Sequence, residues 1–135
     1  MRIPALFAVC VLLAACAPNR PAPPGKTAPE SDRLPAGTWG GGLTPMNHPD
    51  MVMPLTYVVG YDGGAPTLRL GAADAMVAAR DVAVRGDTLF FAFNEPEENV
   101  LLRCALGPDG PDGFAGRCTD AAGKWARFTM TPPVE

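Results

Sequence analysis

Leu55-Thr56-Tyr57-Val58-Val59-Gly60-Tyr61 alternates large apolar side chains with smaller or more polar ones, and Asp62-Gly63-Gly64 follows it directly. The period of two puts Leu55, Tyr57, Val59 and Tyr61 on one face of a strand. Glycine accepts the positive φ that tight hairpin turns require, so residues 62–64 read as a turn. Leu68 and Leu70 then continue the same inward face on a second strand.

The pattern repeats down the chain, with short apolar runs separated by Gly, Asp and Pro clusters at roughly ten-residue spacing. Residues 81–84 pair with residues 88–93 across Arg85-Gly86-Asp87. Val100, Leu102, Cys104 and Leu106 share one face, residues 114–118 follow, and residues 120–123 turn the chain into residues 124–130. With a first strand around residues 38–41, about eight strands are expected. Residues 72–79 are rich in alanine and read as a turn or two of helix or as one more strand edge. The expected fold is all-β: a small antiparallel meander closing into a barrel, which leaves no strand edge exposed. A β-sandwich is the alternative.

The barrel accounts for only part of the 135 residues. Met1-Arg2 is followed by an apolar run over residues 3–15, too short to span a bilayer, which takes about 20 residues. A charged start, an apolar centre and a small-residue end describe a secretory signal. The end, Leu13-Ala14-Ala15-Cys16, resembles the lipobox of bacterial lipoproteins. That resemblance implies cleavage before Cys16 and lipidation of its sulfur, with a membrane as the partner of the anchor. Cys10 fits less well, because Val9 precedes it and it sits within the apolar run. Residue 17 is alanine, and by the sorting rule of enterobacterial lipoproteins this implies an outer-membrane address facing the periplasm.

Residues 16–36 hold the lipidated cysteine and a tether with six prolines. Such a segment buries too little surface to offset its ordering entropy. In an extended proline-rich conformation, about twenty residues reach at most roughly 60 Å. The division expected is therefore a signal at 1–15, a tether at 16–36 and one barrel domain at 37–135.

Gly37-Thr38-Trp39 resembles the G-x-W that opens the first strand of lipocalins. The resemblance implies that an arginine near the end of the last strand packs over the tryptophan, a part that falls to Arg127. It describes a lipocalin-like architecture, with Trp39 and Arg127 closing the barrel.

Of four cysteines, Cys104 and Cys118 remain in the domain on consecutive expected strands. An even pair in an exported protein is expected to form a disulfide.

Catalytic chemistry finds little material. His48 is the one histidine, and Ser31, the only serine, lies in the tether. No glycine motif lies between a strand and a helix to cradle phosphate. The chain is therefore read as a non-enzyme. The domain carries seven basic against twelve acidic residues, net −5, which disfavours nucleic acid as a partner. Residues 94–99 form an acidic loop, read as a solvated hairpin tip.

Two local features remain. Met46, His48, Met51 and Met53 fall within eight residues, and thioether and imidazole are ligands that suit Cu(I). The plainer reading of that loop is a cap on one barrel end, with flexible methionines filling gaps. Arg103, Arg117 and Arg127 fall opposite the inward residues of the last three strands and form either a solvated stripe or a contact for an anionic partner. The expected role is binding at the envelope, with an envelope protein or a small ligand as partner and no required cofactor. Copper handling, apolar-ligand carriage and enzyme inhibition are the alternatives. The last is an analogy with small barrel lipoproteins that inhibit proteases or lysozyme, since their inhibitory motifs are absent here.

Overall fold

The computed structural model describes residues 34–72 and 74–133. Nine antiparallel strands make one sheet: β1 (Gly37–Pro45), β2 (Met53–Asp62), β3 (Ala65–Ala72), β4 (Ala75–Ala78), β5 (Arg80–Arg85), β6 (Thr88–Glu95), β7 (Val100–Asp109), β8 (Gly113–Thr119) and β9 (Trp125–Thr131). Their order is β4-β3-β2-β1-β9-β8-β7-β6-β5, so the first strand pairs with the last.

The two ends of that order, β4 and β5, are consecutive in the chain and separated by Ala79 alone. Ala79 N donates to Leu68 O at 2.8 Å, so the connecting residue is itself bonded to β3. One bent strand thus pairs first with β3 and then with β6, bringing the sheet round into a barrel. Within the alanine-rich stretch, Ala75–Ala78 is this strand edge rather than a helix. Taken as one element, β4 and β5 reduce the count to the eight strands that the spacing suggests.

The bend has a local cause. Between Arg80 and Ala83 the register slips by one residue, and Asp81 takes a φ of 55°. A bulge of this kind increases local twist and lets a strand turn a barrel corner. Aspartate tolerates the left-handed region better than most residues with a Cβ.

The turns follow their residues. Gly63 and Gly64 have φ of 56° and 85° between the paired Asp62 and Ala65, the signature of a type I′ hairpin. The interior is filled with apolar side chains: Trp39, Tyr57, Val59, Leu68, Leu70, Leu89, Phe91, Phe93, Leu106, Phe128 and Met130 are all buried. Phe93 meets Phe128 edge-on at 5.9 Å between ring centroids, and Trp39 meets Phe114 at 6.0 Å.

Cys104 and Cys118 are cross-strand partners in the β7–β8 hairpin and are joined by a disulfide, buried inside the barrel.

The core begins earlier than residue 37. Leu34 is 1% exposed and belongs to the central cluster. The Pro35 carbonyl accepts a hydrogen bond from Trp39 Nε1 at 2.9 Å, and the Leu34 carbonyl accepts one from the Tyr61 hydroxyl. Leu34 and Pro35 are therefore joined to the barrel, ahead of the start expected at residue 37. Cys16 and residues 16–33 lie outside the described residues.

Candidate functional site

The ladders separate the barrel into two ends. Leu34, the β2–β3 turn, the β5–β6 turn and the β7–β8 turn lie at one end, where the chain enters. The β1–β2 loop, the β6–β7 turn and the β8–β9 turn lie at the other. The methionine-rich segment is the β1–β2 loop, so it sits away from the entry point.

Residues 46–52 fold into compact turns. His48 N donates to Pro45 O at 3.1 Å and Met51 N to His48 O at 3.0 Å. Met46 N donates to Trp125 O at 3.3 Å, which ties the loop to the start of β9. Although the loop is ordered by its backbone, its apolar side chains remain about half exposed or more: Met46 is 46% exposed, Met51 49%, Val52 68% and Met53 42%. His48 is exposed as well. None of the three methionines is buried in the barrel end. Among the described residues no three His, Cys, Asp or Glu side chains converge to hold a metal, so a copper site there would rest on the thioethers and His48.

The other turns at this end carry acidic residues, the β8–β9 turn beside the loop and the β6–β7 turn across the barrel from it. Glu97 and Glu98 stand on the β6–β7 turn, where the Glu95 carboxylate accepts from both of their backbone amides. In the β8–β9 turn, Asp120 Oδ1 accepts from Ala122 N and Lys124 N, each at 2.9 Å. The result is a methionine-rich rim, Met46 to Met53, that carries Asp50 itself and has Asp120 on the turn beside it.

Arg127 does not take the place over Trp39 that the lipocalin likeness implies. Phe128 and Met130 point into the barrel, and alternation turns Arg127 outward. Trp39 is instead enclosed by Phe114 and by the Leu34–Pro35 segment. The closing residue is Leu34, and one signal of it is in the sequence: it is the only large apolar residue between positions 17 and 36.

On the outer face, Arg103 pairs with Thr119, and Arg117 pairs directly with Arg127. The Arg117 guanidinium lies 4.2 Å from the centroid of the Trp125 ring. Arg117, Arg127 and Trp125, with Pro108, Asp109, Ala115 and Gly116, line an open depression of about 360 Å³. A second depression, about 260 Å³, lies over the β4–β6 seam beside Arg80 and Asn94. Both are on the surface, because the interior is occupied by side chains.

One interior group lacks a partner. The Tyr57 hydroxyl is buried with no hydrogen bond among the described residues. Burial raises its pKa well above the usual tyrosine range, so the phenol stays neutral.

The chain matches no described protein family and no curated protein. Among solved structures it is similar to a redesigned β-barrel, at 18% identity and a TM-score of 0.46, over 78% of this chain and 96% of that one.

Proposed function

We infer that the chain is a lipid-anchored envelope protein whose barrel is a non-catalytic binding module. Its lipobox-like Leu13-Ala14-Ala15-Cys16 supports the anchor, with lipidation at Cys16 and the barrel facing the periplasm from the outer membrane. Two or three acyl chains at about 0.8 kcal/mol per buried CH₂ hold such a domain firmly on a bilayer.

One observation carries the binding reading. Met46, Met51, Val52 and Met53 are exposed together at the barrel end opposite the entry of the chain. Apolar side chains exposed together on an ordered loop favour an interaction surface. Methionine suits such a surface because its unbranched, polarizable side chain adapts to a partner's shape. Asp50 on the loop itself and Asp120 on the adjoining β8–β9 turn favour a protein partner that presents an apolar segment with basic residues beside it.

Copper handling is the second reading, favoured by the exposure of three thioethers and His48 on one loop. Two variants separate the readings. Changing Met46, Met51 and Met53 to Leu keeps the apolar surface and removes the sulfur ligands. Changing them to Gln removes both. Partner binding that survives Leu and fails with Gln supports the binding module. Cu(I) affinity lost with Leu, together with no change in partner binding in either variant, supports copper and overturns the first reading.

A further inference from the structure

We propose that Arg117, Arg127 and Trp125 form a binding site for a phosphosugar on the outer face of the barrel. The carrying observation is the pairing of Arg117 with Arg127 directly across β8 and β9. Side chains so placed have Cβ atoms about 5 Å apart, and like charges there are destabilising. A stable fold that sets two arginines directly opposite each other on one face gains when an anion binds between their side chains.

Nothing in the described chain fills that role. Arg80 finds a side-chain acceptor in Asn94 Oδ1 at 3.1 Å, whereas neither Arg117 nor Arg127 has one among the described residues. The carboxylate of the adjacent turn, Asp120, is engaged by its own backbone amides. Stacking on Trp125 holds the Arg117 guanidinium in place and leaves its N–H edge free to bind. A planar, pre-oriented fork matches the oxygens of phosphate and binds them bidentately.

The rest of the depression identifies the ligand. Its floor is Ala115 and Gly116, small enough to leave room beside the arginines. Asp109 stands at the far end, four residues along β7 from Ala105, the partner of Arg117, or about 13 Å along the strand. The depression is thus cationic at one end and offers a carboxylate acceptor at the other. A phosphate monoester bearing hydroxyl groups fits both ends: its phosphate meets Arg117 and Arg127, and its hydroxyls donate toward Asp109. Bare polyanions meet repulsion from Asp109, and neutral sugars leave the arginine pair uncompensated.

The test is NMR of the full-length ¹⁵N-labelled chain in neutral detergent, following the side-chain N–H signals of Arg117, Arg127 and Trp125. Soluble glucose 1-phosphate forms one arm, and a phosphorylated glycolipid carried in the micelles forms the other. Saturable shifts at these three signals with either probe support the site. Saturation by the soluble probe assigns a free phosphosugar, and saturation by the glycolipid alone assigns a headgroup. Arg117→Gln/Arg127→Gln weakens binding at least about tenfold with the remaining spectrum unchanged. Asp109→Asn weakens glucose 1-phosphate and leaves inorganic phosphate unaffected. The proposal is overturned if neither probe gives saturable shifts by about 10 mM. It is also overturned if glucose alone shifts the same signals, or if the double variant binds as the natural chain does.

Discussion

Trp39 Nε1 donates to the Pro35 carbonyl at 2.9 Å, so the tryptophan near the start of the first strand is held by the segment just before that strand. Leu34 completes this arrangement by packing into the core. Leu34→Ala removes a buried leucine from a closed interior and is expected to cost about 2–5 kcal/mol. Chemical denaturation of the two proteins measures it. A change within a few tenths of a kcal/mol shows that residues 34–36 do not belong to the domain.

Tyr57 offers the opposite sign. Its buried hydroxyl has no partner, and such a group costs roughly 1–3 kcal/mol. Tyr57→Phe is therefore expected to leave stability unchanged or raise it. The pH dependence follows from the same burial. The folded pKa lies above the ordinary 10.0, so the stabilising neutral form is fully present below that value. Stability is lost as pH rises above about 10 toward the folded pKa. Denaturation between pH 8 and 11 should show a fall from this source in the natural chain that Tyr57→Phe reduces.

Gly41 is set by close approach. A Cβ placed there lies 2.0 Å from the Thr129 carbonyl oxygen and 2.8 Å from Tyr57 Cε2. The first contact is with backbone, so β1 and β9 must separate to admit it. Gly41→Ala is expected to destabilise by about 1–3 kcal/mol. A thermal melt that matches the natural chain contradicts the β1–β9 packing.

The Cys104–Cys118 bond closes a loop with a sequence separation of 14. The chain-entropy account assigns about 3 kcal/mol to a loop of that length. Replacing both cysteines with alanine should lower stability by at least that amount, since the buried sulfur atoms are lost too. The midpoint of denaturant unfolding measures this directly.

Much of this barrel was legible because its strands obey a period of two. Tyr57, Val59, Leu68 and Leu70 face inward as their alternation implies. Cys104 and Cys118 meet because a hairpin places consecutive strands in register. Alternation also puts Arg103, Arg117 and Arg127 on one outer face. The same rule contradicts the borrowed role of Arg127, since a residue between Ala126 and Phe128 cannot share the inward face of Phe128. Alanine carries little directional signal, so Ala75–Ala78 became a strand only through pairing with β3. Leu34 was hidden by its setting among prolines. Exposure of the methionine rim was not legible either, because apolar loop residues read equally as a cap or as a surface.

The central claim is that the rim from Met46 to Met53 meets a protein partner while the opposite end faces the anchor. Site-specific photo-crosslinking in the envelope tests it most directly, with the crosslinker placed in turn at Met51 and at Gly63, on opposite ends of the barrel. The account predicts one defined protein adduct from Met51, absent from Gly63, lost when Met46 and Met53 are Gln and retained when they are Leu. Equal adducts from both positions, or none from Met51, contradict it.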